Sequence, residues 1–316
     1  MEKLLALIVY QTLFYSAPLI FTALGGIFSE RSGVVNVGLE GIMVMGAFGS
    51  IVSNLVLGDT FGSMTPWICL MLGGLFGLVF SILHAVATVH LRADHIVSGT
   101  VLNLIAPALA IFLTKAFYNA GQTPSVKYTF GKFNFPVLAN IPVIGTIFFK
   151  ATSAPAYVAV LAAILVWVVL YKTRFGLRLR SVGENPQAAD TLGLDVYRWK
   201  YTGVLLSGFF AGIGGAVYAQ SIVSNFAGNT IVGQGFISLA AVIFGRWHPI
   251  GALLAAMFFG FAQSLAVIGA QLPGIKEIPS IFLQIAPYVI TIIALIGFAG
   301  KYNGPKANGI VYVKSK

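Results

Sequence analysis

Long apolar runs separated by short polar segments dominate this sequence. A helix needs about 20 apolar residues to cross the roughly 30 Å hydrocarbon layer of a membrane, and several runs approach or exceed that length. The predicted spans cover residues 4–28, 34–53, 66–91, 95–118, 155–171, 201–222, 233–247, 249–270 and 279–299. The pattern therefore predicts an all-α polytopic membrane protein, one domain over residues 1–316 with about nine (eight to ten) transmembrane helices.

Two of the predicted spans are short and begin in a similar way. The runs GVVNVGLEGIMVMGAF at 33–48 and NTIVGQGFISLAAVIFG at 229–245 both place glycines and polar residues before a short apolar helix. Short, interrupted helices at matching places in two halves of a chain often line a transport route. The similarity indicates either such a route or shared composition alone.

Small residues recur at helical spacing in two other spans. In a membrane, helices associate where small residues let their backbones approach. We therefore expect packing seams along two stripes, formed by Gly73, Gly77, Ser81 and Ala85 and by Ser207, Ala211, Gly215 and Ala219.

Two longer polar segments interrupt the apolar runs. Residues 119–154 contain three prolines and are predicted to form an irregular extracytoplasmic loop. Residues 174–200 are predicted to form a cytoplasmic loop, which contains the sequence SVGENPQAADTLGLDVYRWK. In it, Asn185 is a favoured N-cap, Pro186 suits the first helical position, and Gly193 suits the left-handed residue that ends a helix. The pattern predicts a helix of about two turns.

Such a short helix is marginal in water and needs a surface on which to pack. Its centre, from Gln187 to Leu192, has little apolar face and no basic face. This composition favours a groove on another protein over a lipid surface, and an interfacial helix lying on lipid is the alternative. The residues predicted to form or flank the docking helix are Glu184, Asn185, Pro186, Gln187, Ala188, Ala189, Asp190, Thr191 and Gly193.

Composition supports lipid as the main solvent of the protein surface. Hydrophobic residues make up 58% of the chain and charged residues 9%, whereas soluble domains carry about 25% charged residues. The net charge of +10 is explained by anionic lipid and by the enrichment of basic residues in cytoplasmic loops. We therefore expect membrane lipid, and no nucleic acid, as a partner.

The distribution of lysine and arginine predicts the orientation. Basic loops favour the cytoplasmic side, and a cytoplasmic C-terminus with an external N-terminus places more of them there. That side receives Arg31, Arg92, Lys172, Arg174, Arg178, Arg180, Arg198, Lys200, Arg246, Lys301, Lys306, Lys314 and Lys316. The other side receives Lys3, Lys115, Lys127, Lys132, Lys150 and Lys276.

Polar side chains inside the spans are the candidate functional groups. Glu40 lies within the second span, where an unpaired carboxylate is costly. It either lies on a substrate path or is a structural carboxylate bonded to backbone N–H groups. The uncharged polar residues either bind a neutral solute or tie helices together. The candidates for a translocation path are Asn36, Glu40, Asn103, Asn225 and Gln234.

The sequence carries no pattern typical of catalysis or metal binding. Its four histidines form no H-E-x-x-H arrangement, and Cys69, the single cysteine, excludes a disulfide framework. GFAGKY at 297–302 departs from the phosphate-binding pattern G-x-x-x-x-G-K-[ST]. We expect no catalytic residues, no metal and no cofactor in this chain.

Five stretches carry a family resemblance. They are ERSGVVNVGLEGIMVMGAF (30–48), LRADHIVSGTVLNLIA (91–106), RFGLRLRSVGENPQAADTLGLDVYRWKYTGVLLSGFFAGIGGA (174–216), FGRWHPIGALLAA (244–256) and LQIAPYVITIIALIG (283–297). The chain resembles the permease subunits of bacterial ATP-binding cassette importers for ribose, branched-chain amino acids and nucleosides. It most resembles the nucleoside (guanosine-type) permeases.

The resemblance implies a type II importer architecture in the bacterial inner or plasma membrane. A cytoplasmic coupling helix of such permeases docks in a cleft of an ATPase subunit, and its motif is E-A-A, three further residues and Gly. This chain has Gln187, Ala188, Ala189 and Gly193 at that spacing, with Gln in place of Glu, so Glu184 or Asp190 is the alternative acidic contact. The implied partners are the ABC ATPase, which uses ATP, a second permease chain of different sequence, and an extracytoplasmic lipoprotein that binds the substrate.

Three other functions are weighed against this one. A secondary transporter for a neutral solute would work without ATP, and an ABC permease for a ribose-like sugar would share the fold. A membrane scaffold would need no transport route. A membrane-embedded enzyme would cluster catalytic groups at one membrane interface. ATP dependence and the identity of the solute separate these alternatives.

Overall fold

The computed structural model describes residues 2–136, 145–269 and 304–314, with single positions at 139, 141, 142, 282, 285, 289 and 292. Ten α-helices are present in the described residues. They are α1 (Glu2–Arg31), α2 (Leu39–Phe61), α3 (Thr65–Ala85), α4 (His95–Tyr118), α5 (Ala154–Lys172), α6 (Arg174–Glu184), α7 (Pro186–Thr191), α8 (Val196–Tyr218), α9 (Gln234–Phe244) and α10 (Pro249–Ile268). Single π-helical turns extend α3 over Val86–His90 and α8 over Ala219–Val223, and another covers Gly145–Phe149.

Six helical stretches of the described residues are long and apolar enough to cross a membrane. The longest, Leu39–His90, has 52 residues, but it breaks at Gly62, whose φ of +53° ends α2. A short 3₁₀ turn over Gly62–Met64 then leads into α3, which folds back against α2. The all-α membrane class is confirmed, whereas the predicted number of nine spans is not. The predicted span at 279–299 lies almost wholly outside the described residues.

The predicted span at 34–53 has the wrong bounds. The helix begins only at Leu39 and continues to Phe61, past the polar residue Asn54. The Asn54 side chain is satisfied inside the protein, because its amide donates to Gln220 Oε1 at 2.8 Å and to the Tyr128 carbonyl at 2.9 Å. A buried, hydrogen-bonded amide therefore does not end the helix, although in the sequence it resembles a boundary.

The predicted glycine seams are confirmed as packing seams. Helices α2, α3 and α8 meet with their backbones in close approach: a methyl group at Gly73 would lie 2.7 Å from Ala216 Cβ and 2.9 Å from the Gly46 carbonyl oxygen. On the other face of α8, a methyl group at Gly25 of α1 would lie 2.6 Å from the Ser207 carbonyl oxygen. Helix α8 thus lies at the centre of the bundle, between α1, α2 and α3.

The loops gather at two ends of the bundle. At the first, called the α7 end, the last turn of α1 meets α6, which leads into α7, the turn after α9 and residues 304–314. At the opposite end, residues 122–126 pair with residues 224–227, with the Thr123 N–H donating to the Phe226 carbonyl at 2.9 Å. The segment 119–154 is less irregular than predicted, because Lys132–Phe133 (β1) and Thr152–Ser153 (β2) pair as antiparallel strands.

Basic residues are concentrated at the α7 end. Those that the structure describes there are Arg31, Arg92, Lys172, Arg174, Arg178, Arg180, Arg198, Lys200, Arg246, Lys306 and Lys314, whereas Lys115, Lys127, Lys132 and Lys150 lie at the opposite end. This grouping has the same membership as the two sides predicted from the sequence, within the described residues.

Candidate functional site

Helices α2 and α9 both begin inside the protein and meet at their first turns. The backbone of Gly235 lies directly against Glu40, since a methyl group on Gly235 would lie 2.5 Å from Glu40 Cα. These are the two helices whose openings are similar in the sequence. Their free N-terminal N–H groups leave a positive partial charge at the point where they meet.

The Glu40 carboxylate satisfies the N-terminus of α9. Oε1 accepts a hydrogen bond from the Gly233 N–H at 2.5 Å, and Oε2 accepts one from the Gly235 N–H, also at 2.5 Å. Only 8% of Glu40 is exposed. Gly233 has a φ of +83°, a conformation that favours glycine and turns its N–H towards the carboxylate. Glu40 is therefore engaged as a buried cap, and its partners come from another helix rather than from the adjoining glycines.

Two asparagines accept hydrogen bonds from backbone N–H groups at the start of α2. Asn36 Oδ1 accepts from the Gly38 N–H at 3.1 Å, and its amide donates to Ser207 Oγ at 3.0 Å. From α4, Asn103 Oδ1 accepts from the Gly41 N–H at 2.8 Å, while its amide donates to the Val37 carbonyl at 3.0 Å. Both side chains thus hold the non-helical segment that leads into α2.

Gln234 completes the cluster at the first residue of α9. Its amide donates to Tyr218 Oη at 3.2 Å, and its Oε1 accepts from the Gln263 amide at 3.1 Å. The structure therefore brings together four of the five candidate path residues, which we call the half-helix cluster: Asn36, Glu40, Asn103 and Gln234. Tyr218 was not predicted from the sequence, since a lone tyrosine near a span end carries no distinguishing signal.

Asn225 does not belong to the half-helix cluster. The chain leaves α8 through a π-helical turn and reverses at Ser224, whose φ is +65°. Residue 225 consequently lies in the loop at the opposite end of the bundle, where its neighbours pair with residues 122–126. This placement argues against Asn225 as a partner of the other four.

The half-helix cluster is suited to positioning helices rather than to bond chemistry. Its side chains are hydrogen-bonded to neighbouring backbone groups at the starts of α2 and α9 and to side chains of α8 and α10, and Glu40 is its one ionisable member. Among the residues that the structure describes, no group of three or more His, Cys, Asp and Glu side chains is arranged to hold a metal. What the cluster provides is a fixed junction between two helices that begin inside the protein.

The short helix predicted in the 174–200 loop is present as α7. Asn185 caps it, since Oδ1 accepts from the Ala188 N–H at 3.0 Å, and Pro186 is its first residue. Gly193, two residues after its last residue Thr191, has a φ of +81°. The predictions of the caps are confirmed. Helix α7 exposes Gln187, Ala188 and Thr191, and the next residue, Leu192, is 82% exposed.

Ala189 does not share that exposed face. It is 2% exposed and packs with Val182, Val196 and Tyr312 in a small apolar cluster. The reason is geometric, because α7 needs one side against the protein and Ala189 is the apolar residue on that side. Ala189 is therefore the inward anchor of α7.

Glu184 and Asp190, the two acidic residues that could replace the glutamate of the E-A-A motif, each form an ion pair within the chain. Glu184 Oε1 lies 3.9 Å from Arg31 Nη1, and Asp190 Oδ1 lies 3.7 Å from Lys314 Nζ. Burial, with the neighbouring Asp190 carboxylate, raises the pKa of Tyr312 to about 12. The outward face of α7 thus presents Gln187 with both neighbouring carboxylates already paired to basic residues.

Comparisons with known proteins assign this architecture to a family. Residues 8–295 match the family described as branched-chain amino acid transport system / permease component. The chain is 64% identical to the nucleoside ABC transporter permease protein NupC of Lactococcus lactis subsp. cremoris (strain MG1363), over 99% of this chain and 98% of that protein. It is 51% identical to the guanosine ABC transporter permease protein NupQ of Bacillus subtilis (strain 168), with 99% and 98% covered.

A second permease of the same Lactococcus strain is a more distant relative. The nucleoside ABC transporter permease protein NupB is 23% identical over 95% of this chain and 82% of that protein. The family match covers most of the chain, and two relatives align with it almost from end to end. The chain belongs to the branched-chain amino acid transport system / permease component family of ABC transporters.

Proposed function

We propose that this chain is a permease subunit of an ATP-driven importer that carries nucleosides across a bacterial cell membrane. The observation that carries the proposal is the near end-to-end similarity to two permeases named for nucleosides and guanosine, at 64% and 51% identity. Six apolar helices long enough to span a membrane, among the described residues, supply the matching architecture. The chain itself performs no catalysis in this proposal, and a partner subunit hydrolyses ATP.

Helix α7 is the proposed docking site for that ATPase. Its outward residues, Gln187, Ala188 and Thr191, are exposed while Ala189 anchors the opposite side. Leu192, a large apolar residue with 82% of its surface exposed, gains free energy by entering a protein cleft. The capped ends keep the helix formed before its partner arrives, which lowers the entropy cost of docking.

The proposed orientation of the protein in the membrane follows from the proposed docking site. An ATPase works in the cytoplasm, so the α7 end must face the cytoplasm. Residues 304–314 lie against α6 and α7, with the Ala307 N–H donating to the Gly183 carbonyl at 2.9 Å, so the C-terminal segment lies on that side too. Basic residues gather at the same end, as expected for a cytoplasmic surface.

A second, different permease chain is the proposed partner in the membrane. Two Lactococcus relatives of this chain are both named as nucleoside ABC transporter permease proteins, and this chain is 64% identical to one and 23% identical to the other. That difference supports a pair of unlike subunits enclosing one path. A lipoprotein that binds the nucleoside would deliver it to the opposite end of the bundle.

The half-helix cluster is the proposed hinge of the path. Asn36, Glu40, Asn103 and Gln234 hold the inner ends of α2 and α9, and half-helices of this type line substrate routes in other transporters. A neutral nucleoside needs no charged binding site in the membrane. The bonded state of Glu40 supports a positioning role beside the path.

Uptake measurements in proteoliposomes test the function. The chain, reconstituted with its ATPase, second permease and binding protein, should take up tritiated guanosine only when ATP is inside. Replacing residues 184–193 with a Gly/Ser linker should abolish both ATPase co-purification and uptake, whereas a Gly/Ser replacement of exposed residues 119–121 should affect neither.

Three results would count against the proposal. Uptake without ATP would favour a secondary transporter. Uptake of ribose in preference to guanosine would favour a sugar permease. Retention of the ATPase after the 184–193 replacement would remove α7 as the docking site.

A further inference from the structure

The C-terminal residues 304–314, which we call the strap, lie across the α7 end of the bundle. The Ala307 N–H donates to the Gly183 carbonyl at 2.9 Å, and the Gly309 N–H donates to the Gly33 carbonyl at 3.3 Å. The Lys200 ammonium donates to the Ile310 carbonyl at 3.2 Å. The strap therefore connects α6, α8 and the segment after α1.

The far end of the strap holds α7. Tyr312 is 6% exposed and packs with Ala189, the one buried residue of α7, while Lys314 lies 3.7 Å from Asp190. A six-residue helix is marginal without a packing partner. The inward side of α7 thus rests on the strap as well as on α6 and α8.

The near end of the strap reaches a buried carboxylate. The Asn308 amide donates to Glu30 Oε2 at 3.0 Å, and the Trp247 indole N–H donates to the same oxygen. Glu30 is 3% exposed at the end of α1, and Trp247 is 5% exposed in the turn after α9. One carboxylate therefore joins three parts of the chain that are far apart in sequence.

The turn at Trp247 is fixed by these contacts. Arg246 and Trp247 both have left-handed backbones, with φ values of +53° and +54°, which cost free energy in residues other than glycine. Arg31 adds a hydrogen bond from Nε to the Trp247 carbonyl at 3.0 Å. Glu30 and Arg31 therefore hold a strained turn directly after α9.

Helix α9 links this turn to the half-helix cluster. It has 11 residues, so it is about 16 Å long, and its N-terminus is bonded to Glu40. A continuous set of contacts thus runs from α7 through the strap, Glu30 and Trp247 to the inner ends of α9 and α2.

We propose that Glu30 and Asn308 are positioning residues that tie the docking helix to α9, so that a movement of α7 reaches the half-helix cluster. The inference rests on the proposed docking of an ATPase at α7. Coupling requires a rigid connection between the two sites, since a partner shifts a conformational equilibrium only through contacts that differ between its states.

A hydrogen-bond reversal tests this connection. Asn308→Asp keeps the side-chain shape but places a carboxylate against Glu30, which removes the donor and adds like-charge repulsion. In the double variant Glu30→Gln/Asn308→Asp, position 30 is neutral and the like-charge repulsion is removed. Because Asn308 and Trp247 both donate to Glu30 Oε2 in the parent, the amide at position 30 must turn so that its NH₂ group donates to the carboxylate at position 308 while its oxygen accepts from Trp247. The single variant should lose the coupling between α7 and α9, and the double variant should regain it. A general loss of structure caused by Asn308→Asp would not be reversed by a second substitution at Glu30.

The readout is ATP-dependent labelling of Val232→Cys in the reconstituted complex. Val232 is 60% exposed, just before α9, and the native Cys69 is buried, which keeps background labelling low. ATP with vanadate should change the maleimide labelling rate in the parent protein. Asn308→Asp should reduce that change about tenfold, with ATP hydrolysis within twofold of the parent. Asn119→Asp, the same substitution at an exposed site of the opposite end, should leave the change intact.

Each result decides the question. Restoration in the double variant supports the strap as a coupling element. An undiminished ATP response in Asn308→Asp, a double variant as poor as the single one, or a parent protein without an ATP response overturns it. A parent that responds to ATP but takes up no tritiated guanosine refutes the proposed solute and leaves the strap supported.

Discussion

Replacing Glu40 with Gln tests whether this carboxylate is a cap or a substrate contact. Glu40 accepts two backbone hydrogen bonds at 2.5 Å, and hydrogen bonds to charged groups contribute about 1.5–3 kcal/mol each. Glu40→Gln keeps one acceptor oxygen and turns an NH₂ group towards the other backbone N–H. It therefore loses one bond and leaves one buried donor unpaired, so we expect a loss of about 2 kcal/mol.

Two other substitutions of Glu40 should also destabilise the folded protein. Glu40→Asp keeps the charge but is one methylene too short to reach both N–H groups, so it should also be destabilised. Glu40→Lys buries an ammonium against the positive end of α9, which should cost about 3–5 kcal/mol and leave little folded protein. Gln should consequently be tolerated better than Lys in uptake as well.

The assay is thermal unfolding in detergent, followed by size-exclusion fluorescence, with guanosine uptake measured on the same preparations. A loss of about 2 kcal/mol should lower Tm by roughly 4–8 °C. Asp59→Asn is the matched control, because this exposed carboxylate lies 4.0 Å from Lys127 at the opposite end and such pairs contribute about 0–1 kcal/mol. A Gln variant with unchanged Tm but no uptake would refute the capping argument and place Glu40 on the path. Equal Tm values for Gln and Lys would refute it too.

Three further substitutions follow from the packing and the caps. Gly73→Leu should abolish folded protein on size exclusion, since even a methyl group there would lie 2.7 Å from Ala216 Cβ, and Tm equal to the parent would contradict the seam. Asn185→Ala should weaken ATPase binding by about fivefold in a pull-down titration, because it removes a cap worth about 1 kcal/mol; unchanged affinity would show that the cap is dispensable. Ala189→Arg should prevent ATPase binding, because it displaces α7 from Tyr312. Ala188→Ser, on the exposed face, should reduce ATPase binding less. A larger loss of binding in Ala188→Ser than in Ala189→Arg would contradict the assignment of the buried and exposed faces.

Features that depend on nearby residues could be predicted from the sequence. The caps of α7 are local, because Asn185, Pro186 and Gly193 act within one or two turns of helix. The glycine seams are also predictable, since small residues at helical spacing in an apolar run have few other uses in a membrane. The two similar openings at 33–48 and 229–245 precede helices whose first turns meet at Glu40 and Gly235, and their interpretation as a transport route stays a prediction.

Features that depend on distant residues could not be predicted. Glu40 meets Gly233 and Gly235 across more than 190 positions, and Glu30 meets Asn308 across 278. No local pattern distinguishes a carboxylate with such partners from one that faces a substrate. The same limit produced the wrong end of the second span, since the partners of Asn54 at Tyr128 and Gln220 lie in other parts of the chain. The burial of Ala189 on the inward side of α7 could not be predicted, because its packing partner Tyr312 is far from it in the sequence.

The capping of α9 by Glu40 has a consequence for movement. Two charge-assisted hydrogen bonds join the first turn of α2 to the first turn of α9, and their loss would leave two N–H groups unpaired in a dry interior. It therefore costs less free energy to move α2 and α9 together than to separate them. In the proposed coupling, a displacement that enters α9 at Trp247 would be shared with α2, which also packs along α3 and α8. In the proposed coupling, the junction at Glu40 would thus let one contact chain from α7 act on both α2 and α9.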